Sequence, residues 1–260
     1  PKGPSIFRLN DHTERLFKSA ETVNMKIPYS REIINKAHCE VVNSNNLSES
    51  YIRPMCFYGS EGMGIRADNL SVHLMVAAWE WPSYMDPESR EKGIKVMISS
   101  YKRQVRNPVS SAKVNGNYVT SIVALNEAIE QGYDEALMLD AEDNISEGTG
   151  ENFFLVKDNV LQTPDLDASL DGITRKTTIE IAKEKKIEVV IKKISLKEVM
   201  QSDEAFFTGT AAEVVPINSV NGQAIGDGKR GPLTTNLQST YFDQVRGLRE
   251  ENASWHTYVS

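Results

Sequence analysis

The chain has 260 residues, 40% of them hydrophobic and 25% charged, with a net charge of −7, enough for one large domain or two modest ones with a real core. The acidic balance argues against nucleic acid and against an anionic membrane surface as partners, and no apolar run reaches the roughly 18 residues of a membrane span. Cys39 and Cys56 form neither a CxxC pair nor a disulfide framework and read as free thiols of a reducing cytoplasm, and the four histidines lack metal-ligand spacing, so no metal site is expected. No signal-peptide pattern is read.

In chain order, Asn10 to Ala20 reads as a short helix. Ser30 caps a second helix with Ile34, Ala37 and Val41 on one face. Tyr51 to Tyr58 and Ser71 to Trp79 read as strands, and Pro54 in the first points to an edge or a bulge. Periodicity stops from Trp81 to Lys92, where Pro, Gly and charges cluster, so residues 81–92 read as an interdomain loop. The expected organisation is α+β, with a small unit over 1–80 and a large one over 93–260.

In the large unit, Ile94 to Ser100 is a strand and Asn117 to Gln131 a helix ended by Gly132. Glu135 to Asp140 is a strand. Asn152 to Val156 pairs with Val160 to Thr163 across a Lys157-Asp158-Asn159 turn. A helix over Thr174 to Lys185 and a strand over Ile187 to Lys193 follow. Ser195-Leu196-Lys197-Glu198 is a capping box, Ala205 to Thr208 a strand, and Asn221-Gly222 a hairpin turn. Pro232 begins a final helix with Leu237, Tyr241, Val245 and Leu248 on one face.

Four segments offer chemistry, each ambiguous alone. Gly172-Ile173-Thr174-Arg175 opens a helix, where unpaired amides and the positive dipole end bind phosphate, although many such starts are plain caps. Thr208 to Glu213 follows a strand with small residues that expose amides, or simply turns the chain. Lys113 lies among small and apolar residues just before a helix. Burial there would lower its pKa and free a nucleophilic amine; otherwise it is a surface loop lysine. Glu147 and Glu151 flank a glycine-rich turn and serve either the turn itself or a heterocycle nitrogen.

Taken together and in this order, these residues resemble the fold type IV pyridoxal-phosphate (PLP) enzymes, most closely the branched-chain amino-acid aminotransferases. The resemblance covers nearly the whole chain. It is carried by Phe7 to Asn10 with Arg15-Leu16, Tyr51-Ile52-Arg53-Pro54, Gly62-Met63-Gly64, Ser111-Ala112-Lys113 with Asn115-Gly116-Asn117-Tyr118, Ser146 to Phe153, Gly172 to Arg175, and Thr208 to Pro216. It implies a two-domain α+β architecture, PLP held by Lys113 as a Schiff base, and transamination of leucine, isoleucine or valine with 2-oxoglutarate. It assigns Glu147 to the pyridine nitrogen and Tyr118 to the ring's phenolic oxygen. Arg15, the Ile173 and Thr174 amides and Thr210 go to the phosphate, Arg15 through a bidentate charge pair. Tyr51, Arg53 and the amides of Thr210 and Ala211 are implied to bind substrate carboxylates, and Met63, Trp81 and Tyr84 to form the apolar wall. The partners implied are small-molecule amino acids and 2-oxo acids, with a homodimer or a higher homo-oligomer such as a hexamer as the assembly. The family ordinarily carries some dozens of residues before the Phe7 motif. The rival readings are another fold type IV activity (a D-amino-acid or amine transaminase, or aminodeoxychorismate lyase) and a PLP- or phosphate-binding protein without catalysis.

Overall fold

The computed structural model describes residues 3–47, 49–81, 87–103, 109 and 111–259. The chain divides into two compact units, one built from 1–82 together with 247–260, the other from 83–246.

In the first unit, strand β1 (Ser5–Phe7) leads into helix α1 (Leu9–Thr22), and Ser30 caps helix α2 (Arg31–Ser44) by accepting from the Ile33 amide. Leu9 and Ile34, each 1% exposed, anchor the helices. Strands β2 (Tyr51–Tyr58) and β3 (Val72–Trp79) pair antiparallel in unbroken register, so Pro54 sits in a two-stranded ribbon without a bulge. The C-terminal strand His256–Tyr258 pairs with β1, and the Arg8 guanidinium lies 4.4 Å over the Trp255 ring. This tail therefore belongs to the first unit, whereas the sequence suggested a large unit running to 260. Backbone pairing at β1 decides where it goes, and no local pattern encodes that partner. Leu248 correspondingly lies beyond the last helix and is exposed.

The second unit begins with helix α3 (Pro87–Lys92), inside the segment expected to be a loop. Its strands are β4 (Ile94–Ile98), β5 (Glu135–Leu139), β6 (Ile145–Gly148), β7 (Asn152–Lys157), β8 (Val160–Thr163), β9 (Val189–Ile191), β10 (Glu204–Gly209), β11 (Glu213–Val220) and β12 (Gln223–Ala224). Around them stand α4 (Tyr118–Glu130), α5 (Ile173–Glu184), α6 (Leu196–Met200) and α7 (Pro232–Val245). The order β10-β11-β4-β5-β6-β7 closes on itself because β7 also pairs with β10, which makes a barrel with no free edge along that ring. Alternation along the strands sends Val96, Leu137, Phe153, Phe207, Val215 and Ile217 into one buried cluster. On the opposite faces Phe154 and Phe206, directly across from each other in register, stack at 5.0 Å. Ala124 and Ala128 of α4 let that helix approach Met97 and Met138.

Turn chemistry follows the sequence. Asp158 and Asn159 both take positive φ, the condition of a two-residue hairpin between β7 and β8. Asn221 and Gly222 do the same between β11 and β12. The box at Ser195 forms in both directions with Glu198, and Lys192 at 2.6 Å helps hold that carboxyl down to about 2. Where Gly231 supplies no side chain to cap α7, Glu204 of β10 accepts from the Leu233 and Thr234 amides instead.

The edge of β7 that faces away from β10 is shared. Asn152 at one end pairs with Glu147 of β6, and Leu155 to Lys157 at the other end pair with β8. The sheet thus splits beside Phe153, whose carbonyl accepts from the Thr163 hydroxyl at 2.8 Å. Among the described residues no helix is long and apolar enough to cross a membrane. Phe206→Ala removes half of the buried ring pair and should destabilise the fold by about 3–5 kcal/mol, read as a lower urea midpoint without loss of secondary structure at zero denaturant.

Candidate active site

The split in the sheet is where the chemistry-bearing residues gather. The segment 168–170 runs along β6 there. Ser146 Oγ donates to the Ala168 carbonyl at 2.7 Å, and Ser169 Oγ donates to the Ser146 carbonyl at 3.1 Å. Asn152, 5% exposed, donates through Nδ2 both to Glu147 Oε2 at 3.2 Å and to the Leu170 carbonyl at 2.8 Å. Its other amide atom, Oδ1, packs so tightly on Gly172 that a Cβ added there would lie 1.9 Å away. Gly172 has ordinary backbone angles (φ −73°), so glycine is required here by the close approach of Asn152 and not by a left-handed backbone.

Glu147 is 5% exposed. It meets Arg103 Nη2 through Oε1 at 2.5 Å, and the Leu170 amide at 3.0 Å through Oε2, the oxygen that also accepts from Asn152. Each of these partners is a donor, the pattern of an ionised carboxylate. Burial pushes the group above the ordinary carboxyl range, and Arg103, the Leu170 amide, Lys113 and Arg175 pull against that. Arg103 escaped the sequence reading. It follows the strand at Ser99 and is 9% exposed, yet nothing in its spacing relates it to a glutamate 44 positions on.

Of the two environments its segment allowed, Lys113 takes the exposed one. Its Nζ donates to the Tyr118 hydroxyl at 2.6 Å and lies 4.9 Å from the centre of that ring. The intervening Asn115–Asn117 turn is a single 3-10 turn that sets Tyr118 at the start of α4, and Asn117 ties it down by donating to the Val109 and Ala112 carbonyls.

Helix α5 starts at Ile173 with no capping side chain. Ile173 and Thr174 are each 6% exposed, and among the described residues their amides meet no acceptor. Buried N–H groups in that state call for a partner, and at a helix start an anion such as phosphate suits them. Arg175, by contrast, is spent on Thr163 and the Pro164 carbonyl. Thr208, directly opposite Asn152 in register, leads into the turn between β10 and β11, where Thr210 is exposed and Ala211 half-buried. The donor set of this unit therefore fits PLP: an amine at Lys113, a carboxylate at Glu147, a hydroxyl at Tyr118, and anion-ready amides at Ile173 and Thr174.

Of the remaining sequence candidates, Arg15, Tyr51, Arg53, Met63 and Trp81 lie in the first unit. Arg15 is half-buried on α1. Tyr51 and Arg53 share one face of β2, and Trp79, across from Tyr51, completes a cluster in which Tyr51 and Trp81 stand 4.7 Å apart. The Arg53 guanidinium lies 5.3 Å from the Tyr51 ring and 5.6 Å from the Trp79 ring. Met63, with Ile65, points wholly into solvent, so within this chain it forms no wall. Tyr84 lies outside the described residues.

Removing Arg103 would strand the Glu147 carboxylate in the interior. Arg103→Met should cost about 3–5 kcal/mol of stability, more than the reciprocal exchange of both partners for apolar residues, because a broken buried pair leaves an uncompensated charge. Denaturant unfolding of the single and double variants measures both.

Comparison with known proteins shows the family. The family model described as amino-transferase class IV matches residues 2–220. The branched-chain-amino-acid aminotransferase of Pseudomonas aeruginosa is 54% identical over 260 residues, spanning 100% of this chain and 85% of the relative. The crystal structure of a T.th. branched-chain amino acid aminotransferase with pyridoxamine 5′-phosphate is 41% identical, with a TM-score of 0.96 over 100% of this chain and 86% of that one. The T.th. enzyme complexed with N-(5′-phosphopyridoxyl)-L-glutamate gives 0.94 at 40% identity, over 100% and 85%. On the match over residues 2–220 and the full-length identity, the chain belongs to the class IV amino-transferase family.

Proposed function

We propose that this chain is a PLP-dependent aminotransferase that moves the amino group of leucine, isoleucine or valine to 2-oxoglutarate, giving the branched-chain 2-oxo acid and glutamate. The observation that carries this reading is that Lys113, Tyr118, Glu147 and the open start of α5 stand in one unit of a chain 54% identical to a branched-chain-amino-acid aminotransferase. When bound, PLP supplies an electron sink for the charge left when the substrate α-carbon loses its proton.

The chain's own residues do the rest. Lys113 would hold the cofactor, and its free amine would be the base that moves the proton at the substrate α-carbon. The Tyr118 hydroxyl, 2.6 Å from Nζ, orients that amine and serves the ring's phenolic oxygen. Glu147 holds the proton on the pyridine nitrogen, and Arg103 keeps Glu147 charged for the task. Within the second unit, the Ile173 and Thr174 amides and Thr210 receive the phosphate. Within the second unit the Thr210 and Ala211 amides take a substrate carboxylate; within the first, the Tyr51–Arg53 face stands beside Trp81 as an apolar wall with a carboxylate-binding cation at its edge. Arg53, resting on two aromatic rings, can meet a glutamate side chain at the edge of such a wall without occupying its centre.

Met63 can line a pocket only when something covers it. Its exposure, with that of Ile65 and of Val119, Ile122, Val123 and Ile129 on α4, favours assembly with further copies, as a homodimer or hexamer. Free Cys39 and Cys56 accord with a cytoplasmic location.

Lys113→Ala should abolish the visible band of the PLP-loaded protein and lower turnover by several orders of magnitude, since one group supplies both the covalent link and the base. Wild-type turnover in that variant would displace Lys113 from its role. In a substrate panel, L-leucine should outpace D-alanine and aryl amines; the reverse order would select another fold type IV activity, and binding of PLP without turnover a non-catalytic protein. Light scattering should show a dimer or larger assembly, and a fully active monomer would contradict the oligomeric reading.

A further inference from the structure

Two buried carboxylates in the second unit take no part in the roles above. Glu135 begins β5 at 0% exposure, and Glu151, just before β7, is 6% exposed. Consecutive amides of one tight loop bring them together. The Thr149 amide donates to Glu135 Oε1 at 3.4 Å, and the Gly150 amide donates to Glu151 Oε2 at 3.0 Å. Glu135 Oε1 also accepts from the Ala136 amide at 2.7 Å, while its Oε2 meets no donor among the described residues. The buried cations nearby are engaged elsewhere, Arg103 by Glu147 and Arg175 by Thr163 and the Pro164 carbonyl. Around Glu151, β5 contributes Glu135 and β6 contributes Glu147, both repelling, while Lys113 ahead of α4 attracts. Strand β10 offers the uncharged Gly209, whose Cβ position lies 3.4 Å from Glu151 Cγ.

Two adjacent carboxylates, buried and without a cation of their own, do not both stay ionised. We propose that Glu135 and Glu151 share one proton at neutral pH, lying between Glu151 and Glu135 Oε2, and that this clasp positions the loop between β6 and β7 beneath the turn that carries Thr210 and Ala211. Burial and the charge of Glu135 push the Glu151 carboxyl up to about 8, and burial raises Glu135 as well. The pair titrates as a unit, so the proton belongs to both. The shared proton stands on the fold alone; only its bearing on cofactor retention rests on the aminotransferase reading.

The sign of the stability effect follows from a folded-state pKa raised above the unfolded one. The contribution is complete below the ordinary carboxyl value and fades as pH rises through the folded value. Glu151→Gln replaces the protonated form by a neutral amide and removes that dependence. The experiment is thermal unfolding of the cofactor-free wild type, E151Q and E135Q from about pH 5 to about pH 9, where linkage predicts the wild-type loss. The melting temperature of E151Q relative to wild type should climb up to about pH 8 and level off above it. A difference that stays constant across this range would overturn the proposal.

E135Q reads the same proton from the other side, and each single variant keeps the pair's one negative charge. Failure of both to fold would therefore also count against a shared proton. For the positioning role, PLP titration should give E151Q an affinity within about threefold of wild type and E151A one more than about tenfold weaker, as expected when only the neutral group is needed. Equal losses in both would overturn it. No PLP binding even by wild type would reject the cofactor reading and leave the thermal result to decide the proton.

Discussion

The side-chain amide of Asn152 holds three parts of the chain at one point. Its Nδ2 donates to Glu147 and to the Leu170 carbonyl, and its Oδ1 presses on Gly172. Its backbone pairs with Glu147 on one edge of β7 and with Thr208 on the other. The start of α5, the acidic end of β6 and the turn after β10 are thereby set against the same residue. Neither Asp nor Leu would serve: one lacks the donors, the other leaves Glu147 and the Leu170 carbonyl each short of a partner in the interior.

Around this point the barrel holds an unusual density of charge in a place that excludes water. Arg103 and Glu147 form the pair that sets the polarity of the region, and Glu135 and Glu151 lie one loop away. Rigid strands fix these groups, while the groups that would touch a ligand, Lys113 and Thr210, sit at exposed positions next to the ends of α4 and β10. A precise interior beneath exposed chemistry is what a preorganised site requires.

Much of this was legible in the sequence. The capping box at Ser195 and the turns at Asp158-Asn159 and Asn221-Gly222 are local, so their residues announce them. The Lys113 and Glu147 segments stood out because their pattern matches a family. The rest depends on partners distant in the chain. Strand β11 escaped notice because Pro216 and Asn218 interrupt its apolar alternation, and only the closed ring of strands gives it two neighbours. Arg103 looked like any loop arginine until the fold placed it on Glu147. The helix start at Gly172 read as a phosphate site or a plain cap; the close approach of Asn152, twenty residues earlier, adds a demand for glycine that no local pattern announces. Exposure of Lys113 could not be read from its small and apolar neighbours, because burial belongs to the fold and not to the segment.

The pairing of β1 with the C-terminal strand has a consequence for the order of assembly. The second unit is one continuous stretch, and its barrel closes with β11, which ends at Val220. The first unit is discontinuous and cannot place its last strand until residues 256–258 have left the ribosome. During synthesis the barrel can therefore form while the earlier segment still waits for its closing partner. The loop closure that joins Phe7 to His256 is the longest the described chain makes between paired strands, and so carries the largest closure entropy.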